Sequence, residues 1–169
     1  MTPSKTIGSP APRRLLRAAL VGTAIAGALG LTATTASADA SVANFTLAQP
    51  DWTPGGHASA DNGMSELTFQ SDGNLVLYKF TGADAYPVWA SGTKGKGVVR
   101  VDWSKSGYVK LLNASGGIVC TLGALNPAPG GHAKLKDDGN LVFYNTSGKA
   151  TWSTGTSGST RGNLNYCYT

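Results

Sequence analysis

Five side chains set two residues apart carry the most chemistry in this sequence: Gln70, Asp72, Asn74, Val76 and Tyr78. An ionised aspartate only accepts hydrogen bonds, whereas glutamine and asparagine each bring an acceptor oxygen and an NH2 donor. The tyrosine hydroxyl can do both, and the valine adds a small apolar patch. The set suits a neutral ligand rich in hydroxyls, with C–H groups lying between them. Bonds to the charged Asp72 are expected to be the strongest. Nearly the same spacing recurs at Lys136, Asp138, Asn140, Val142 and Tyr144, where a lysine, which donates but cannot accept, replaces the glutamine.

The remaining residues give little support to catalysis. Glycoside hydrolysis needs two carboxylates about 5–10 Å apart across the substrate. Asp72 and Asp138 fall in separate segments, and Asp137 and Asp138 stand side by side at one turn. No nucleophile–base pair or metal-ligand spacing stands out, so neither an enzyme nor a metal or other cofactor is expected. His57 and His132 each follow Gly-Gly in an echoed Pro-Gly-Gly-His-Ala, at 54–58 and 129–133, and read as turn residues in equivalent loops. Trp52 reads as a packing residue.

Hairpins must position the five side chains. Asp72-Gly73 and Asp138-Gly139 are turn dipeptides flanked by alternating apolar residues, a strong short-range hairpin signal. With Ser71-Asp72-Gly73 as the loop, Gln70 pairs with Asn74, Phe69 with Leu75, Thr68 with Val76 and Leu67 with Leu77. Opposed residues share a face, so Leu67, Phe69, Leu75 and Leu77 point inward. Glu66, Thr68, Gln70, Asn74, Val76 and Tyr78 point outward. The second copy sorts alike, with Ala133, Leu135, Leu141 and Phe143 inside and Lys134, Lys136, Asn140, Val142 and Tyr144 outside.

The two segments, 67–78 and 133–144, are each followed by a tryptophan in the same frame: Trp89 before Ala90-Ser91-Gly92-Thr93, and Trp152 before Ser153-Thr154-Gly155-Thr156. Their aspartates lie 66 residues apart, which leaves room for a unit between them. A weaker copy runs from Val99 to Leu111 and on to Val119-Cys120-Thr121-Leu122-Gly123, with Cys120 in the tryptophan's place. In that copy Asp102 or Trp103 replaces the glutamine, and Ser104 or Lys105 the aspartate, depending on where one residue is inserted. Val109 stays as the valine and Leu111 takes the tyrosine position. An exposed Trp103 would be free to stack on a sugar. Short strands, many turns and no helical periodicity after residue 40 predict an all-β barrel, prism or sandwich. One unit cannot bury its apolar face alone, so three pack around an axis where Trp89 and Trp152 meet.

Gln70, Asp72, Asn74, Val76 and Tyr78 spell Q-x-D-x-N-x-V-x-Y, which resembles the mannose-binding motif of the bulb-type lectins related to snowdrop agglutinin. The resemblance spans residues 42–160. It implies a β-prism II fold: three four-stranded antiparallel sheets around a pseudo-threefold axis, with up to one metal-free sugar pocket per sheet. By resemblance Asp72 and Asn74 hold the axial O2 of mannose, Gln70 holds O3 and Tyr78 holds O4. The implied function is that of a secreted lectin recognising mannose-type glycans. Two alternatives come with the family. Its lectin-like bacteriocins usually carry two such domains, where this chain has room for one, and its storage or protein-binding relatives have reduced sugar binding.

The N-terminal stretch predicts export. Lys5, Arg13, Arg14 and Arg17 precede 14 apolar or small residues, Ala18 to Leu31, and Ala36-Ser37-Ala38 follows as a cleavage signal. The run is short of the roughly 20 residues that span a bilayer, so a signal peptide over 1–38 is expected, and no membrane insertion. Arg13-Arg14 lacks the rest of a twin-arginine motif. The net charge of +5 belongs to this leader: without its four basic residues, ten basic face nine acidic, a net +1. No nucleic-acid partner is expected. Cys120 and Cys167 suit one disulfide in an oxidising compartment, with 161–169 as a last strand carrying Cys167. In the family this strand can be exchanged between subunits, which would make the bond intermolecular and the protein a homodimer. Protein recovered from culture medium is expected to begin at Asp39 or Ser41, after cleavage behind Ala38 or Ala40. Intact mass spectrometry reads this directly, and soluble protein still carrying residues 1–38 would contradict it.

Overall fold

The computed structural model describes residues 39–46, 51–158 and Cys167. The expected leader and, apart from Cys167, the expected last strand lie outside the described residues. Those described form eleven strands and no helix. One sheet orders the strands β2 (His57–Ser59), β3 (Ser65–Phe69), β4 (Leu75–Thr81) and β5 (Asp84–Ala90). A second joins β6 (Val98–Asp102), β7 (Val109–Asn113) and β8 (Ile118–Leu122). A third runs β1 (Ala40–Asn44), β9 (His132–Leu135), β10 (Leu141–Tyr144) and β11 (Ala150–Ser153). All pairings are antiparallel. The three-stranded sheet gains a vestigial fourth member where Trp52 bridges Val101, each amide donating to the other's carbonyl at 2.9 Å. This is the β-prism II arrangement.

The hairpin register agrees with the alternation. Leu67 pairs with Leu77, Thr68 with Val76 and Phe69 with Leu75, and the Gln70 amide donates to the Asn74 carbonyl at 2.9 Å. In the third unit Leu135 pairs with Leu141 and Ala133 with Phe143. All eight inward residues are fully buried in one cluster. Val76 and Val142, on the outward face, are also only 4% exposed, and Val76 forms part of the floor of an open groove.

Trp89 opposes Leu77, Cys120 opposes Leu111 and Trp152 opposes Phe143. Cys120 thus stands where the other units place tryptophan. Trp89 and Trp152 meet edge to face, with ring centroids 6.2 Å apart. Cys120 bonds to Cys167 within the chain, their Cα atoms 5.4 Å apart. This closes a separation of 47 residues, worth about 4 kcal/mol in loop-entropy terms.

The middle unit departs from the expected register. Val101 opposes Leu111 and Asp102 opposes Lys110, so Leu111 matches the inward Leu77 and not Tyr78. Counting out from there, Ser104, Ser106, Tyr108, Lys110 and Leu112 take the motif positions. Trp103 matches the inward Phe69, is fully buried, and packs against Trp52 at 5.0 Å. It is not available for stacking on a sugar. The echoed histidines also part company: His57 opens the outer strand β2, while His132 opens the inner strand β9 and opposes Tyr144. They are strand residues at unlike places, not turn residues in equivalent loops.

Each motif turn leans on the next unit. Gly73 has φ +84°, and a Cβ there would come within 2.8 Å of the Val98 carbonyl oxygen at the start of β6. Gly107 (φ +78°) abuts the backbone of Ala128 and Pro129, and Gly139 (φ +81°) abuts Lys79 and Ser65 of the first unit, closing the circle. Gly148 has a similar φ of +76° but open space around it. Gly148→Ala is expected to cost about 1–2 kcal/mol, from the left-handed backbone alone. Gly107→Ala should cost a further 1–3 kcal/mol from overpacking. Urea denaturation of the two variants measures the difference, and equal losses would refute the packing role.

Candidate functional site

In the first unit the five motif residues line one open groove of about 930 Å³ on the outward face, with Pro54, Pro87 and Lys94 at its edges. The turn is fixed by Asp72, whose Oδ1 accepts the Asn74 amide at 3.0 Å. Such self-bonding is why aspartate favours turns. Across the hairpin, Gln70 Nε2 donates to the Tyr78 hydroxyl at 2.8 Å.

Two hydroxyls that sequence reasoning did not single out hold Asn74 from below. Ser91 Oγ donates to Asn74 Oδ1 at 3.1 Å, and the Thr93 amide donates to the same oxygen at 3.2 Å. Thr93 Oγ1 donates to the Gly73 carbonyl at 2.7 Å, and the Leu75 amide donates to Ser91 Oγ at 3.0 Å. Both residues are 1% exposed, so this network is shielded from water and rigid. The signal for it was present: a Ser/Thr-Gly-Thr triplet trails both tryptophans.

These bonds decide what each side chain has left. Asn74 has spent its oxygen and keeps its NH2 donor. Gln70 has committed a donor and keeps its acceptor oxygen. Tyr78 has accepted and keeps its proton. Asp72 presents Oδ2, with Lys94 Nζ 3.5 Å away at the rim. That lysine side chain is 77% exposed, and such a pair contributes little stability. The groove therefore offers two acceptors, from Asp72 and Gln70, and two donors, from Asn74 and Tyr78, above the Val76 patch.

The third unit repeats the support and changes the face. Thr154 and Thr156 replace Ser91 and Thr93: Thr154 Oγ1 donates to Asn140 Oδ1 at 2.9 Å and Thr156 Oγ1 to the Gly139 carbonyl at 2.6 Å. Asp138 Oδ1 accepts the Asn140 amide at 3.0 Å. Its Oδ2 is already taken, by Ser157 Oγ at 2.6 Å and by Lys136 Nζ at 3.1 Å. Burial alone would raise the Asp138 pKa, but the Ser157, Lys136 and Asn140 bonds outweigh it and hold the carboxyl below its ordinary value. The same bond to Asp138 raises the Lys136 pKa against its own burial. Tyr144 stacks on His132, with centroids 5.2 Å apart. Burial, and then the charge of Lys134, lower the pKa of that imidazole.

In the middle unit Lys110 fills the valine position. Its Nζ lies 3.5 Å from Ser104 Oγ, 3.4 Å from Ser106 Oγ and 3.7 Å from Asp102 Oδ2. No carboxylate stands at the aspartate position, and Leu112, at the tyrosine position, is 5% exposed. The ligand-facing pattern is gone while the strands remain.

No protein-family model matches the chain. A B-type lectin, plumieribetin from Scorpaena plumieri, is 30% identical over 108 residues, 64% of this chain. The match spans 60% of that relative's length, less than two thirds. Solved structures of monomeric mannose-binding lectins from Gastrodia elata superpose with a TM-score of 0.53 at 27% identity, covering 65% of this chain and 94% of theirs. The chain is related in sequence and in fold to bulb-type lectins. A Marasmius oreades lectin superposes at 0.52 with 25% identity, over 63% of this chain and 86% of its own. The first and third motif faces differ in one controlling feature, the ion pair that engages Asp138. Lys136→Gln is expected to move the Asp138 carboxyl titration upward, because it removes a bond and a positive charge that favour the ionised form. Carboxyl-carbon NMR over a pH series reads this, and an unchanged midpoint would show that Ser157 and the Asn140 amide suffice.

Proposed function

We propose that this chain is an exported, non-enzymatic lectin that holds mannose-type glycans in the Gln70–Tyr78 groove without a metal ion. The observation that carries the reading is the pattern of unspent donors and acceptors there. Asp72 Oδ2 and the Asn74 NH2 form an acceptor–donor pair for one hydroxyl, the axial O2 in the family pattern. The Gln70 oxygen and the Tyr78 proton then meet O3 and O4, and Val76 meets the sugar's C–H groups. An equatorial O2 would leave Asp72 and Asn74 unmatched, which is how such a site rejects the epimer. The Gastrodia elata lectins, mannose-binding by description, support the same ligand class.

Export is supported by the Cys120–Cys167 disulfide, a bond of oxidising compartments. Processing behind Ala38 fits the strand layout better than processing behind Ala40. It keeps the Asp39 Oδ1 bond to the Asp137 amide, 3.1 Å, and the pairing of Ala40 with Leu135.

The groove is open, so single-site affinity is expected near millimolar, about −4 kcal/mol. Asp72→Ala should cost about 1.5–3 kcal/mol and erase measurable monosaccharide binding at that site. Asp138→Ala should hardly change the titration, since its carboxylate is already engaged. Lys136→Gln, which frees Asp138 and restores the full motif, should raise the stoichiometry towards two. Calorimetry with methyl α-mannoside tests the order, and the proposal fails if Asp72→Ala binds normally while Asp138→Ala does not.

A further inference from the structure

A second cavity, about 610 Å³, lies at the corner where the first unit meets the third-unit turn. Met64, Phe80 and Tyr86 form its apolar wall, and Asp138 forms part of its edge. The corner is pinned by Asn62, whose amide donates to Asp137 Oδ1 at 3.1 Å and whose Nδ2 donates to the Asp137 carbonyl at 2.9 Å. Met64 and Tyr86 are 46% and 45% exposed, large side chains left open to solvent at one place. Ser65 lines the same cavity, is fully buried, and its hydroxyl has no hydrogen-bond partner among the described residues. The stem of Lys79 lies beside it over Gly139: a Cβ on that glycine would strike the stem and come within 3.0 Å of Ser65 Oγ.

We infer that this corner is a saccharide subsite adjoining the third-unit motif face at Asp138, taking the sugar residue next to the one at Asp138, so that this side of the protein reads an oligosaccharide. The inference rests on the reading that the chain binds mannose-type glycans. Asp138 belongs to both places, so a ligand spanning them passes over one shared carboxylate. A pyranose brings what the corner lacks: a C–H face for Tyr86 and Met64, and a hydroxyl for Ser65. A wholly apolar ligand would leave the buried Ser65 hydroxyl unmatched, and a small ion would leave the apolar wall open. Lys79 is the movable part, because its flexible stem swings aside to let a ligand hydroxyl reach Ser65. The third unit thereby gains through a neighbouring residue what its lysine-closed motif loses for a single sugar.

The chain has two methionines, Met1 and Met64, so methyl-labelled methionine reports directly on the corner. α-Linked mannotriose is expected to shift the Met64 methyl, while methyl α-mannoside at equal occupancy of the first groove leaves it in place. Tyr86→Ser should weaken mannotriose binding about threefold to tenfold, the worth of one stacked ring face, and leave methyl α-mannoside binding unchanged. Tyr86→Phe should restore it, and Ser65→Ala should weaken mannotriose alone. Mannotriose binding with a silent Met64, or an unaffected Tyr86→Ser, overturns the subsite and leaves the mannose reading intact. A shift with the monosaccharide alone would make the corner an independent pocket and also overturn the extension. A protein that retains no saccharide, on mannan resin or in either titration, removes the mannose reading and this subsite with it.

Discussion

A β-sheet with one apolar face must cover that face, and no helix among the described residues is there to do it. The three sheets solve this together by turning Leu67, Phe69, Leu75, Leu77 and their counterparts onto a common axis. The closure is set by how near one unit's turn comes to the next unit's backbone, and glycine at the three motif turns permits that approach. The ligand face inherits its geometry from this packing. Ser91 and Thr93 lie just beyond the axial Trp89, so seating that ring also seats the hydroxyls that orient Asn74.

The hairpins and their faces could be read from the chain because two local signals agreed. Asp-Gly fixed the turn, and strict alternation fixed which side was wet. The place of Cys120 was legible for the same reason, as the missing member of a tryptophan series. The middle unit was not legible in detail. With neither Asp-Gly nor tryptophan to anchor it, Val109 served as the landmark, and a slip in register reverses which face every side chain meets. Gly107 was the better anchor, since its positive φ matches Gly73 and Gly139. From it Ser104, Ser106 and Tyr108 fall into place and Trp103 turns inward. The echo around His57 and His132 misled in another way: two short identical strings serve an outer and an inner strand, because Pro-Gly-Gly reads only as a turn and says nothing about the strand it feeds.

The first and third motif faces also show which half of a binding site tolerates change. The hydroxyl support beneath Asn74 and Asn140 is chemically the same, with threonine for serine at one position. That support also holds the strand edge and the turn, so losing it would cost the fold. The upper face has no such duty. There a positive charge reaches the motif aspartate in both units, from Lys94 at the rim in one and from Lys136 within the motif in the other. In the first arrangement the cation sits beside the groove; in the second it occupies the place of the glutamine.

The segment from Asp39 to Ser59 touches every sheet in turn: β1 edges the third unit, Trp52 bridges to the middle one, and β2 edges the first. On a chain made from its N-terminus, the first strand to appear is therefore among the last to find its partner, because Ala40 must wait for Leu135. Until β9 exists, β1 has no edge to join. Such pairing between strands distant in sequence makes folding slow and cooperative. Under the proposed export that delay is useful: the seam that closes the prism forms only once both ends are on the same side of the membrane.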